Sequence, residues 1–273
     1  GWQVETVCLE KLFPEVLERI HSGEHSLIAY VDLGSPHVGT ISEVNARKKI
    51  VLVIDHHDPQ TIEDDSIMNY NPELYGVSGD SEASSSVMSY LIAKAINPLR
   101  KKLAPVAMIG SNELPGFPIG LNGQILEEGI AQGLVQVSKS GKGKSISVKS
   151  GESLVNRQKT SALLTALGSV AYYRGGPSKA ISAALSGISE DVVAMAEKME
   201  SERKDAFDAL ESSVRRTGLK KGQNVQWVEA RSTFKRMGSK VIGTFLSILR
   251  YSRIVEPNKY LLGFMNLEPE IPG

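Results

Sequence analysis

The chain has 273 residues, 41% of them hydrophobic and 23% charged, with 31 basic side chains against 31 acidic ones. That is ample apolar material for a substantial core, and the zero net charge excludes a nonspecific cationic coat for nucleic acid while leaving room for a local basic groove. The single cysteine, Cys8, excludes an internal disulfide and fits a reducing, cytoplasmic compartment; no apolar run approaches the ~20 residues of a membrane span, so no membrane partner is expected.

In chain order, Trp2–Val7 reads as a strand and Leu9–Ile20 as an amphipathic helix, with Leu12, Val16, Leu17 and Ile20 at helical spacing and Pro14 in its first turn. The apolar run that begins at Ser26 and continues to Val31 ends in Asp32-Leu33-Gly34-Ser35, a strand followed by a turn. After a connection containing His37, read as an exposed loop histidine, comes Ile50-Val51-Leu52-Val53-Ile54. Five apolar residues, mostly β-branched, are the pattern of a central parallel strand buried on both faces. The run stops at Asp55-His56-His57-Asp58, and Pro59 closes the ladder. Asp32 and Asp55 are 23 residues apart, room for one strand-helix-strand crossover. Adjacent parallel strands would then deliver both aspartates to one sheet edge, where open α/β sheets place their sites. Carboxylates and imidazoles together ligate divalent metals and activate water.

Val31-Asp32-Leu33-Gly34-Ser35 and Val53-Ile54-Asp55-His56-His57-Asp58-Pro59, in that order and strand context, resemble the second and third motifs of the DHH phosphoesterase superfamily. Beyond them, Glu63-Asp64-Asp65 reads as a solvated turn. Asn71-Pro72 and the small residues Gly76–Ser86 lead into a helix through Ile96, capped by Asp80 or Ser81, and the family has a comparable turn near its site. Leu103–Ile109 reads as a further buried strand ending at Gly110. A fourth family motif places an aspartate a few residues after such a glycine; here the nearby carboxylate is Glu113, a candidate metal ligand in its stead.

Gly120–Gly129 reads as a turn into a helix, and Ser138–Gly151 as a Lys/Ser/Gly-rich hairpin or linker. Its Lys139, Lys142 and Lys144 are candidate phosphate contacts. Residues 158–216 read as helical, with a long helix starting at Ser189. Asn224–Ala230 and Asn258–Met265, the latter polar at first and apolar from Tyr260, read as strands around a helix over Lys240–Leu249, whose basic, glycine-flanked start makes Lys240 a further candidate for nucleic-acid contact. This last unit resembles the first half of a DHHA1 domain. The stretches Gly120-Leu121-Asn122 with Ile125-Leu126-Glu127-Glu128, and Lys240–Leu249, are similar to the archaeal RecJ-like, GINS-associated nuclease branch.

The resemblance implies an α/β fold in three parts: a parallel-sheet DHH domain over residues 1–150, a helical connector over 151–218, and a smaller, partial DHHA1-like α/β domain over 219–273. The family's first motif would precede Gly1, as expected of an interior portion of a longer protein. Position by position, the resemblance implies that Asp32 bridges two metals, usually manganese with magnesium as the alternative. It implies that His56 binds one metal, His57 contacts the scissile phosphate and Asp55 orients the adjacent histidine. The activity implied is metal-dependent hydrolysis of single-stranded DNA or RNA in replication or repair. The alternative is a catalytically weakened scaffold that binds GINS and the replicative helicase, a reading favoured by the altered fourth motif.

Overall fold

The computed structural model describes residues 3–140 and 143–267. Two compact units emerge: Lys11–Ser161, and a second that combines the first ten residues with the chain from Ala162 onward.

The first unit opens with α1 (Pro14–Ser22), which starts at the proline rather than at Leu9. Proline at the first helical position gives up an N–H that would have no partner there, and its φ suits the helix start. Residues 3–9 form no strand, contrary to the sequence reading, and Trp2 lies outside the described residues. The centre of the unit is a parallel sheet, β1 (Leu27–Val31), β2 (Ile50–Ile54) and β3 (Ile67–Tyr70), in that spatial order. After a 3-10 turn at Ser35–His37, α2 (Val38–Val44) makes the crossover from β1 to β2. The register pairs Val31 with Ile54 and Ile54 with Tyr70, so three strand ends finish level. Leu17, Ile28, Tyr30, Val38, Ile41, Val51 and Val53 form the core beneath them. β2 is central as expected, although Ile50 at its start is exposed.

β3 is too short and polar to announce itself. Its entry is fixed by Asp64, whose carboxylate accepts from Ser42 Oγ, Lys48 Nζ and both the N–H and hydroxyl of Ser66. The acidic turn is therefore anchored at Asp64, whose side chain is only 6% exposed. A second buried polar cluster lies under β1. The ring of His21 is held by Asn45 Oδ1 at 3.2 Å and by Tyr30 Oη at 2.9 Å.

α3 (Ser85–Ile96) is capped by Ser84, not by Asp80 or Ser81, because the preceding residues are committed to a tight loop. α4 (Ala104–Gly110) is a helix where a strand was expected. A seven-residue apolar run buried on most sides carries no period to separate the two. α5 (Gly120–Ala131) leads to an antiparallel sheet of β4 (Val135–Ser140), β5 (Gly143–Ser150) and β6 (Ser153–Asn156). α6 (Arg157–Ser169) runs on into the second unit.

There, α7 (Gly176–Ser186) and the long α8 (Glu190–Thr217) follow, the latter with Ser189 at its N-cap position. A mixed sheet ends the described chain: β7 (Lys220–Lys221) antiparallel to β8 (Val225–Arg231), and β9 (Tyr260–Met265) parallel to β8 after α9 (Lys240–Leu249). Phe234, fully buried, packs its ring 5.6 Å from Phe207 and 6.0 Å from Phe245 at the centre of this unit's core. The architecture is α/β, with a parallel sheet, a run of helices and a smaller mixed sheet consistent with a DHHA1-like domain.

Candidate metal centre

The backbone leaves β1 by a sharp turn. Asp32 still donates its N–H to Ile54 O at 2.9 Å, then adopts a left-handed conformation with φ 63°, which aspartate tolerates better than most residues. Two residues on, Gly34 has φ 114°, and a Cβ there would stand 3.1 Å from the Val53 side chain and 3.2 Å from that of Tyr30. Glycine is required at that position for both reasons. The turn folds back over the sheet edge and brings Ser35 to the end of β2.

Asp55 is the hub of that edge. It is fully buried, and its carboxylate accepts from Ser35 N at 2.9 Å, His56 N at 2.8 Å, His57 N at 3.3 Å and His57 Nδ1 at 2.6 Å. Burial of an ionised carboxylate is tolerable only with such a set of donors. Asn71, at the end of β3, ties the third strand in. Its Nδ2 donates to His57 O at 2.7 Å and to Ser35 Oγ at 2.9 Å.

Both histidines are held by Nδ1. Asp55 takes that of His57, and the carbonyl of Gly79 takes that of His56 at 2.7 Å. A carbonyl only accepts, so the His56 Nδ1 carries a proton, and in the neutral ring Nε2 presents its lone pair. That Nε2 lies 3.5 Å from Asp32 Oδ1. The Oδ1 atom is itself buried and has no hydrogen-bond partner. The His56 and His57 rings pack with centroids 4.5 Å apart. Burial works to lower the His57 pKa, but the Asp55 hydrogen bond and the charges of Asp55, Asp32 and Glu113 outweigh it and raise the value.

One ligand atom each from Asp32, His56 and His57 fall within 4.8 Å of one another. A shared carboxylate and imidazole donor set, a fixed tautomer and an orphaned buried oxygen fit a divalent cation, since a cation between Oδ1 and Nε2 would satisfy both atoms. Glu113, exposed at the 3-10 turn Ser111–Glu113 after α4, is not in that group, although its charge reaches His57. His37 is exposed, as expected of a loop histidine. Lys139 and Lys144 stand directly opposite each other across β4 and β5, and Lys144 Nζ sits 4.4 Å from the Phe117 ring centroid. Lys142 lies outside the described residues, and Lys240 is exposed at the start of α9 in the other unit. Sequence reasoning passed over Ser35, Gly79 and the side chain of Asn71. Their only signals were a turn after Asp32 and a stretch of small residues.

Residues 4–111 match the N-terminal domain of the DHH family. The crystal structure of exonuclease RecJ bound to manganese aligns with a TM-score of 0.58 and 14% identity, covering 94% of this chain and 67% of that one. The fold is similar to that of RecJ, and its first part is similar to the DHH family's N-terminal domain. In sequence, an uncharacterized protein of Methanocaldococcus jannaschii is 29% identical over 127 residues, 44% of this chain. The match spans 28% of that relative's length. Asp32, Asp55, His56, His57 and Asn71 all fall within the stretch that matches the DHH N-terminal domain. Among the described residues, no helix is long and apolar enough to cross a membrane.

Proposed function

We propose that the chain is part of a RecJ-like phosphoesterase that hydrolyses phosphodiester bonds of single-stranded nucleic acid, with manganese at the Asp32–His56–His57 centre and magnesium as the alternative. The observation that carries the reading is the unpartnered Asp32 Oδ1 facing the Nε2 of a tautomer-fixed His56. The solved RecJ that shares the fold is an exonuclease bound to manganese, which supports the same choice of cation and reaction.

A bound divalent cation would supply Lewis acidity and make its water more acidic than bulk water. Asp32 and His56 would hold it, and Glu113 is the candidate for a further carboxylate from the turn after α4. His57, with its side chain 54% exposed and its Nδ1 on Asp55, keeps Nε2 for a phosphate oxygen. Asp55 holds that ring in place rather than binding the cation, since both of its oxygens already accept hydrogen bonds. Lys139, Lys142, Lys144 and Lys240 are candidates for backbone phosphates. GINS and the replicative helicase are candidate partners in replication or repair within a cytoplasmic setting.

Hydrolysis of labelled single-stranded DNA and RNA by the native full-length protein, with and without manganese, tests the reading against an Asp32→Ala control. Metal-dependent cleavage that vanishes in the variant is expected. A well-folded protein that binds manganese and GINS yet cleaves neither polymer would support the scaffold role instead.

A further inference from the structure

Two hydrogen-bond chains start at the buried side chain of Asn71, and each ends on one histidine of the metal centre. Its Nδ2 reaches His57 O and Ser35 Oγ, and Ser35 N in turn holds Asp55, which holds the His57 ring. Its Oδ1 accepts Glu73 N–H at 2.9 Å. Glu73 then turns its own side chain onto the loop before α3: Oε1 accepts Gly79 N–H at 2.6 Å, and Gly79 O accepts His56 Nδ1–H at 2.7 Å. Gly79 is thus held at both of its backbone polar groups.

The loop has no slack at that point. A Cβ on Gly79 would lie 1.9 Å from His56 O, so only glycine lets the loop come close enough for its carbonyl to meet the imidazole. Ser78 N also donates to Glu82 at 3.0 Å, which closes the other side of the turn. Glu73 itself is exposed. An exposed carboxylate has water to satisfy it, and the fold gains little by ordering its side chain unless the N–H it holds matters. Here that N–H belongs to the residue whose carbonyl selects the tautomer of His56.

We propose that Glu73 is a positioning residue of the cation site: through Gly79 it holds His56 as the Nδ1–H tautomer and keeps Nε2 directed at the space shared with Asp32. The proposal rests on the metal reading given above and adds to it a residue outside the ligand set. An imidazole released from Gly79 would populate both tautomers, and the Nε2–H form cannot bind a cation at that nitrogen.

The test uses protein labelled with 15N at histidine, in the parent and in the Glu73→Ala and Glu73→Gln variants, without metal. Long-range proton–nitrogen spectra report which ring nitrogen of His56 carries the proton. The parent and Glu73→Gln, which keeps an acceptor oxygen, are expected to show Nδ1–H, and Glu73→Ala a mixture of both forms. A manganese titration should then find Glu73→Ala weaker by about 10-fold, the low end for residues that orient a metal ligand, and Glu73→Gln within about 2-fold of the parent. Dispersed backbone amide spectra in both variants exclude simple unfolding. An unchanged tautomer and unchanged affinity in Glu73→Ala overturn the proposal. Absence of manganese binding in the parent overturns the cation reading and the purpose assigned to Glu73, whereas the tautomer shift decides the hydrogen-bond link independently.

Discussion

Asp32 Oδ1 is buried 3.5 Å from His56 Nε2, too far for a hydrogen bond and without any other partner. With the ring of His56 neutral, two lone-pair-bearing atoms face each other across that gap, an unfavourable arrangement until something positive stands between them. Replacing Asp32 with Asn removes the charge and keeps a side chain suited to the left-handed backbone. Manganese affinity is expected to fall by more than about 10-fold, while the metal-free protein gains up to about 1 kcal/mol of stability. Titration calorimetry and urea denaturation without metal check the two halves. A metal-free Asp32→Asn protein less stable than the parent would contradict the account of the orphaned oxygen.

Asp55 does the opposite work, and its replacement has the opposite signature. Asn in its place can no longer accept four N–H groups as a charged acceptor and adds an NH2 where donors already converge. Asp55→Asn is expected to destabilise the first unit by about 2–4 kcal/mol, read as a lower urea midpoint with an unchanged slope.

Gly79→Ala must move either the loop or His56, because the new methyl would sit on the His56 carbonyl. A cost of about 1–3 kcal/mol is expected, as for other forced insertions into packed structure. Manganese affinity should fall at least as far as in Glu73→Ala. Alanine tolerated with parental affinity would show that the loop approach is not what holds the ring.

The buried His21 gives the first unit a pH dependence of its own. Desolvation lowers its pKa and the charge of Lys49 adds to that, while the Asn45 hydrogen bond opposes them. The folded protein therefore binds this proton less readily than the unfolded chain, whose histidine titrates near about 6.5. The resulting stability is present above that value and is lost as pH falls toward the folded-state pKa. Melting temperature should drop between pH 7 and pH 5, and His21→Gln should flatten that slope even if it lowers the plateau. An equally steep slope in the variant would move the effect elsewhere.

In the second unit, Phe234→Ala should cost about 3–5 kcal/mol, since its fully buried ring fills the space between Phe207 and Phe245. Hydrogen exchange at β8 amides would report the loss.

Much of this molecule is local chemistry written along the chain. Five apolar β-branched-rich residues before Asp55, and another short run before Asp32, each closed by a turn signal, point to two adjacent parallel strands, because β-branched side chains and a length of five favour a strand over a helix. Their common polarity determines that both acidic ends meet at one edge. The same local logic located the long helix from Ser189 and the strand-helix-strand unit from β8 to β9. It failed where length or period was lacking: at β3, four residues held by Asp64, and at α4, whose short apolar run has no period to separate helix from strand. The cap at Ser84 was also missed, because Asp80 and Ser81 are equally good caps by type and the loop geometry chooses among them. What only the tertiary structure decided is the division of labour in the site. Asp32 and Asp55 look alike in sequence, each a carboxylate at a strand end. Asp55 ends buried under four donors and Asp32 keeps an oxygen with none, because Gly34 turns Ser35 back over one and not the other. The tautomer of His56 depends on Gly79 and Glu73, 23 and 17 residues away along the chain. No period or composition encodes that distance; it exists only once α3 and its loop have packed against the sheet edge.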